Sequence, residues 1–198
     1  MNFLVVNPNT SAAVSRRLQQ HVVAILAGLA AAAEVRTATA TFGASYIADE
    51  ASFAIAAHAA LDAAASDCAL HGEPDAILLG CFGDPGIEAL REVIGRPVVG
   101  LAEAGRAGEA RVAGHHDQPR TRGDRRLERM RAVESLRSAC RVASAGADAV
   151  VLGGAGLAGM AARIASSLDV PLIDSVTAGA LALLALLLPR ERVEPGRG

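Results

Sequence analysis

Hydrophobic and polar positions alternate along this chain in a way that predicts strands and helices in turn. Phe3-Leu4-Val5-Val6 is a short unbroken apolar run that ends in Asn7-Pro8-Asn9-Thr10-Ser11. Beyond it Val14, Leu18, Val22, Ile25, Leu26 and Leu29 recur at helical spacing, so the opening reads strand, loop, helix. A second strand is expected at Glu34 to Thr41, and an Ala-rich helix over about Asp49 to Cys68. Asp75-Ala76-Ile77-Leu78-Leu79-Gly80 then reads as a buried strand that runs into a Gly-rich turn and another helix. Strand and helix alternating in this way predict an α/β fold built on parallel, doubly wound sheet.

An internal repeat extends that reading. Asp75-Ala76-Ile77-Leu78-Leu79-Gly80-Cys81 recurs as Asp148-Ala149-Val150-Val151-Leu152-Gly153-Gly154. Each copy passes through a turn and a helix into a second strand, Arg96-Pro97-Val98-Val99-Gly100 in the first and Val170-Pro171-Leu172-Ile173-Asp174 in the second. Two equivalent units predict two pseudo-symmetric lobes, each a mainly parallel sheet flanked by helices. Ligands of such sheets bind outside the carboxyl ends of the strands, so the two turns should face each other across one cleft. The expected division is residues 1–100 with 176–198 in the first lobe and 101–175 in the second. Between the copies, Gly105 to Arg131 is rich in Arg, holds His115-His116 and contains no apolar run able to form a buried strand, so the second lobe is expected to be incomplete.

Composition narrows the partners. With 19 Lys+Arg against 21 Asp+Glu, the chain has no global positive field to gather nucleic acid or anionic lipid. Its longest apolar stretch, Ala178 to Leu188, is too short for a bilayer span, and the amino terminus has no secretory pattern, so a cytoplasmic protein with a small-molecule substrate is expected. Self-association into a homo-oligomer is left open. The three cysteines, Cys68, Cys81 and Cys140, have no CxxC spacing, which argues against a disulfide framework and against a zinc site. No metal and no organic cofactor is expected.

Cys81 is the leading chemical candidate. In Gly80-Cys81-Phe82-Gly83-Asp84-Pro85-Gly86 it stands where a strand ends and a helix is due, and amides and a helix dipole at such a place favour a thiolate. The alternative is a small residue packed at a tight turn. Asn7, Asn9, Thr10 and Ser11 follow the first strand and either line the cleft rim or cap the next helix. Cys68 and Cys140 fall within helical stretches, where packing accounts for them. Gly154, Gly156 and Gly159, with Asp174 beyond them, also fit a dinucleotide fingerprint on paper, kept as a minority reading because too little chain follows to complete such a domain.

Four stretches in this order resemble the hydantoin racemase branch of the Asp/Glu racemase superfamily: Val5 to Ser11, Gly80 to Gly86, Pro97 to Ala104 and Val151 to Gly159. The resemblance implies two lobes with the active site between them, and one cysteine per lobe facing opposite sides of a carbon next to a carbonyl. Cys81 matches the first cysteine. The second falls at Gly154, which has no side chain to carry a proton. The resemblance therefore implies proton transfer through Cys81. Amides near Phe82, Gly83, Ala155 and Gly156 would hold developing charge, and Asn7, Asn9, Thr10, Ser11, Asp84, Gly154, Asp174 and Ser175 would place the substrate. A one-cysteine decarboxylase or isomerase, or a binding protein without chemistry, are the competing expectations. The Arg-rich stretch departs from the strand, helix and strand that this family places there.

Overall fold

A computed structural model describes residues 1–106 and 125–188, with 125–131 described by backbone alone. The first sheet is built from β1 (Asn2–Asn7), β2 (Glu34–Thr39), β3 (Ala76–Leu79) and β4 (Val98–Gly100), all parallel, in the order β2-β1-β3-β4. β1, β3 and β4 are apolar runs because both faces are covered, whereas the edge strand β2 carries Glu34, Arg36, Thr37 and Thr39 and is mostly half-buried. Phe3, Val5, Ala76 and Leu78 point to one face, where α1 (Ala12–Gly28) and α7 (Ser175–Leu187) supply Leu18, Val22, Leu26, Val176, Ala180 and Leu183. Leu4, Val6, Ile77 and Leu79 point to the other, against α2 (Glu50–His71) and α3 (Ile87–Ile94).

By length and composition α2 is apolar enough to cross a membrane, with 22 residues and a mean hydropathy of 1.3. Here it is one layer of the first lobe, with Ala60, Ala63 and Ala64 packed into that second core. Asp49 starts it through a capping box with Ser52, whose N–H donates to the Asp49 carboxylate at 2.7 Å. The helix runs to His71, beyond the expected Cys68, and the second strand stops at Thr39 rather than Thr41.

The second sheet pairs β5 (Val150–Leu152) with β6 (Leu172–Asp174), again parallel. The repeat in sequence is a repeat in geometry: Ile77 N–H donates to Pro97 C=O and Val150 N–H to Pro171 C=O, each at 2.9 Å. Where the first copy has one helix, the second has a 3₁₀ turn (Ala155–Leu157), the short α6 (Ala161–Ile164) and a further 3₁₀ turn (Ala165–Ser167). Gly159, at φ 76°, breaks the run between them. Leu136 and Cys140 of α5 (Arg125–Ser144) complete a separate small core with Val150, Leu152, Ala161 and Ile164.

Two boundaries differ from expectation. Residues 101–106 were expected to open the second lobe, but α4 (Leu101–Arg106) drives Leu101 into the first-lobe core. The irregular Arg-rich segment is also shorter than 105–131, since α4 takes up its start and α5 its end. The expected His115-His116 loop lies outside the described residues. α4 is the joint of the molecule. A Cβ on Gly105 would lie 2.9 Å from Val151 Cγ1, so only glycine lets the helix pass so close to β5.

Candidate functional site

The turns at the ends of β3 and β5 meet through one aromatic ring. A Cβ on Gly153 would lie 2.6 Å from Phe82 Cγ, so the Phe82 ring sits flat on the end of β5. The same ring comes within 3.7 Å of where a Gly105 Cβ would stand. The expected apposition of the two strand ends is thus made physically, by a residue adjacent to Cys81.

Cys81 leaves β3 in a tight turn closed by Asp84 N–H donating to Cys81 C=O at 3.2 Å. Gly83 (φ 112°) and Asp84 (φ 57°) both lie in the left-handed region, a strained choice for Asp84. The N–H groups of Phe82 and Gly83 donate to no protein acceptor among the described residues, which leaves them free beside the sulfur. The electrostatics correct the sequence expectation of a thiolate. The helix that follows starts only at Ile87, and burial, with the Asp84 charge second, pushes the Cys81 thiol up to about 12. Cys81 rests as a protonated thiol. Burial also pushes the thiols of Cys68 and Cys140 up.

The polar turn after β1 is an internally satisfied scaffold. Asn7 is fully buried; its amide donates to Asn9 Oδ1 at 3.1 Å, Ser11 C=O at 3.2 Å and Ser15 Oγ at 2.9 Å. Asn9 Oδ1 also accepts from Ser11 N–H at 2.9 Å, and Ser11 is the residue that caps α1. Thr10 N–H donates to Ala44 C=O at 3.1 Å, tying in the loop after β2. Asn7 thus holds the turn through its side chain, Asn9 commits its side-chain oxygen in the same way, and Ser11 Oγ accepts from Val14 N–H at 3.4 Å; their contact with substrate stays an expectation.

In the second lobe, Asp174 caps α7 by accepting from Val176 N–H at 3.0 Å and Thr177 N–H at 3.2 Å, and its other oxygen accepts from Gly159 N–H at 2.9 Å. With both oxygens committed and a 3₁₀ turn following β5, this is not the strand, turn and α-helix that a dinucleotide fingerprint needs. Asp174 also lines a cavity between α6, β6 and α7, and its contact with substrate stays an expectation. Ser175 is fully buried, and its Oγ has no partner. Gly154, at φ 122°, faces open space: a Cβ there would meet nothing nearer than Leu157 Cδ1 at 4.0 Å. Ala155 is buried as the start of the 3₁₀ turn, and Gly156 C=O accepts from the Arg17 guanidinium of α1.

Other bridging residues carried no sequence signal. His21 Nε2 lies 2.9 Å from Thr177 Oγ1 and 3.8 Å from Asp174, with Gly159 against its ring. Local pattern does not reveal such a contact, because its partners are more than a hundred residues away in the chain. A cavity of about 360 Å³ lies apart from Cys81, between α6, β6 and α7, and is lined mainly by Ala161, Ala165, Leu172, Ala178 and Leu181. Among the described residues no group of three or more His, Cys, Asp or Glu is placed to hold a metal.

Comparison with known proteins gives this geometry its context. The sequence profile described as Asp/Glu/hydantoin racemase matches residues 3–114 and 104–183. The hydantoin racemase of Paenarthrobacter aurescens is 35% identical over 137 residues, 53% of this chain and 58% of that protein. This chain therefore spans less than two thirds of that relative's length. Among solved structures, the allantoin racemase of Pseudomonas fluorescens is 26% identical with a TM-score of 0.78, covering 94% of this chain and 91% of that one. The allantoin racemase from Klebsiella pneumoniae, 24% identical, shares the fold at a TM-score of 0.76, over 100% of this chain and 97% of its own.

Proposed function

Because this chain belongs to the Asp/Glu/hydantoin racemase family, we propose that it moves a proton at a ring carbon next to a carbonyl, in a hydantoin-like substrate such as allantoin, through Cys81. The observation that carries the reading is the position of Cys81, at the end of β3 beside unbonded Phe82 and Gly83 amides, facing the Gly153-Gly154 turn across the Phe82 ring.

In the proposed step Cys81 first loses its thiol proton to solvent, and the small thiolate fraction so formed takes the proton from carbon. The C–H electron pair moves onto the carbonyl oxygen, and the Phe82 and Gly83 N–H groups donate to the oxyanion. The thiol then returns a proton to the same face. Gly154 offers the opposite face no acid, so exchange with solvent outruns inversion. This separates the chain from a symmetric two-base racemase and favours one-sided proton transfer.

The test is incubation with 5-substituted hydantoins, allantoin, aspartate and glutamate in deuterated water, following deuterium at the α-carbon and optical rotation together. The expected result is exchange exceeding inversion, abolished by Cys81→Ala. Gly154→Cys should raise inversion, since the site has room for the sulfur, although φ 122° strains any side chain there. If no substrate exchanges and Cys81→Ala changes nothing, the reading is wrong.

A further inference from the structure

The Cys81 turn is held from one side by a carboxylate that the proposed chemistry leaves unused. Asp84 Oδ1 accepts from Ala102 N–H at 2.9 Å, and Oδ2 from Glu103 N–H at 2.8 Å. Both oxygens are engaged at the start of α4. The fit is close enough to dictate the neighbouring residue: a Cβ on Gly100 would lie 2.2 Å from Asp84 Cγ, so β4 must end in glycine for the carboxylate to reach those amides. Behind it, Glu103 accepts from Gly100 N–H at 2.9 Å and pairs with Arg91 at 2.6 Å. Arg91 in turn donates to Val98 C=O at 2.8 Å, which locks α3, β4 and α4 together. Asp84 bears its left-handed φ of 57° within this clamp.

We propose that Asp84 is a positioning residue for the reaction: it clamps the Cys81 turn to the start of α4 and so fixes where the sulfur stands. This deepens the reading of Cys81 as the proton carrier and rests on it. Both carboxylate oxygens already accept an α4 amide, and the turn that joins Asp84 N–H to Cys81 C=O ties the two residues together. Asp84 is the one charged group that shifts the thiol, and it does so upward, in the same sense as burial. Asp84 itself is raised, first by burial; the Ala102 and Glu103 amides and the Arg106 charge oppose that, and Glu103 adds to it. A carboxylate there keeps the sulfur protonated between turnovers and makes its thiolate a stronger base once formed.

The experiment reads the thiol directly and needs no substrate. Alkylation of Cys81 is followed by mass mapping across pH in the native chain, Asp84→Asn and Glu103→Gln. Asp84→Asn keeps one acceptor for the α4 amides but removes the charge, and should speed Cys81 alkylation at a given pH by clearly more than about twofold, because removing a like charge raises the thiolate fraction. Glu103→Gln loosens the same clamp but leaves the Asp84 charge, and should leave the rate within about twofold. An unchanged rate in Asp84→Asn, or an equal rise in Glu103→Gln, overturns the proposal.

Should Asp84→Asn fail to fold, the native chain still decides. The amide resonances of Ala102 and Glu103 should titrate together, with one midpoint above the ordinary carboxyl value of 3.8. Separate or absent titrations refute the clamp. If Cys81→Ala keeps full exchange activity while these thiol and amide effects hold, the proposed function fails and takes the positioning role with it, leaving only the clamp of Asp84 on α4.

Discussion

Replacing Gly153 by Ala tests whether the two lobes close on the Phe82 ring. The new Cβ would lie 2.6, 2.7 and 2.8 Å from Phe82 Cγ, Cδ2 and Cδ1, inside any real carbon contact, so ring or strand end must give way by close to an ångström. Gly105, having no Cβ, leaves some space beyond the ring's far edge, so the ring can take up part of the shift. Overpacking of this kind costs about 1–3 kcal/mol. For a chain of this size a loss of about 2 kcal/mol lowers the melting temperature by roughly 4–8 °C. Gly153 lies outside the left-handed region, so the effect is steric and does not come from the backbone. The assay is a double-mutant cycle in urea with Phe82→Ala. In the Phe82→Ala background the cost of Gly153→Ala should fall by about 1 kcal/mol or more, since the clashing atoms are gone. Additive costs would mean that the ring does not rest on β5, and the apposition of the two turns would fall with it.

Three further outcomes are expected. With the Cys81 thiol pushed up to about 12, the kcat/KM for α-carbon exchange should rise about tenfold per pH unit between roughly pH 7 and pH 10; a plateau near the ordinary thiol value of 9.0 would contradict the burial argument. Hydrogen bonds from the backbone and side chain of Ser52 hold the Asp49 carboxyl below its ordinary 3.8, so its contribution is present above that value and is lost as pH falls through the lower folded pKa. Asp49→Ala should therefore lower the melting temperature at pH 7 by an amount that shrinks in acid, and a pH-independent difference would refute the cap. NAD and NADP should give no thermal shift, since Asp174 has no free oxygen for a ribose; a saturable shift at micromolar concentration would reopen the fingerprint reading.

What sequence alone determined was everything carried by local pattern. Unbroken apolar runs such as Phe3 to Val6 and Ala76 to Leu79 can be buried only on both faces, which forces parallel sheet between helices, and the Asp75 and Asp148 repeats predicted two units that share one hydrogen-bond geometry down to their proline carbonyls. The motif around Cys81 was legible for the same reason, because a turn at a strand end needs particular residues in a row. Tertiary structure decided what each side chain spends its bonding capacity on. Asn7, Asp84 and Asp174 read as ligand contacts in the sequence, and only the fold shows that each also bonds amides or side chains of its own scaffold, some of them brought near only by folding. The state of Cys81 was decided there too. A strand end followed by a helix suggests a thiolate, but the helix begins six residues later, and desolvation together with the Asp84 charge pushes the thiol up. Glycines behaved in the same way: Gly100, Gly105 and Gly153 look interchangeable in sequence, and only the packing of Asp84, Val151 and Phe82 against them shows that each marks a place where two pieces of the chain meet with no room for a Cβ.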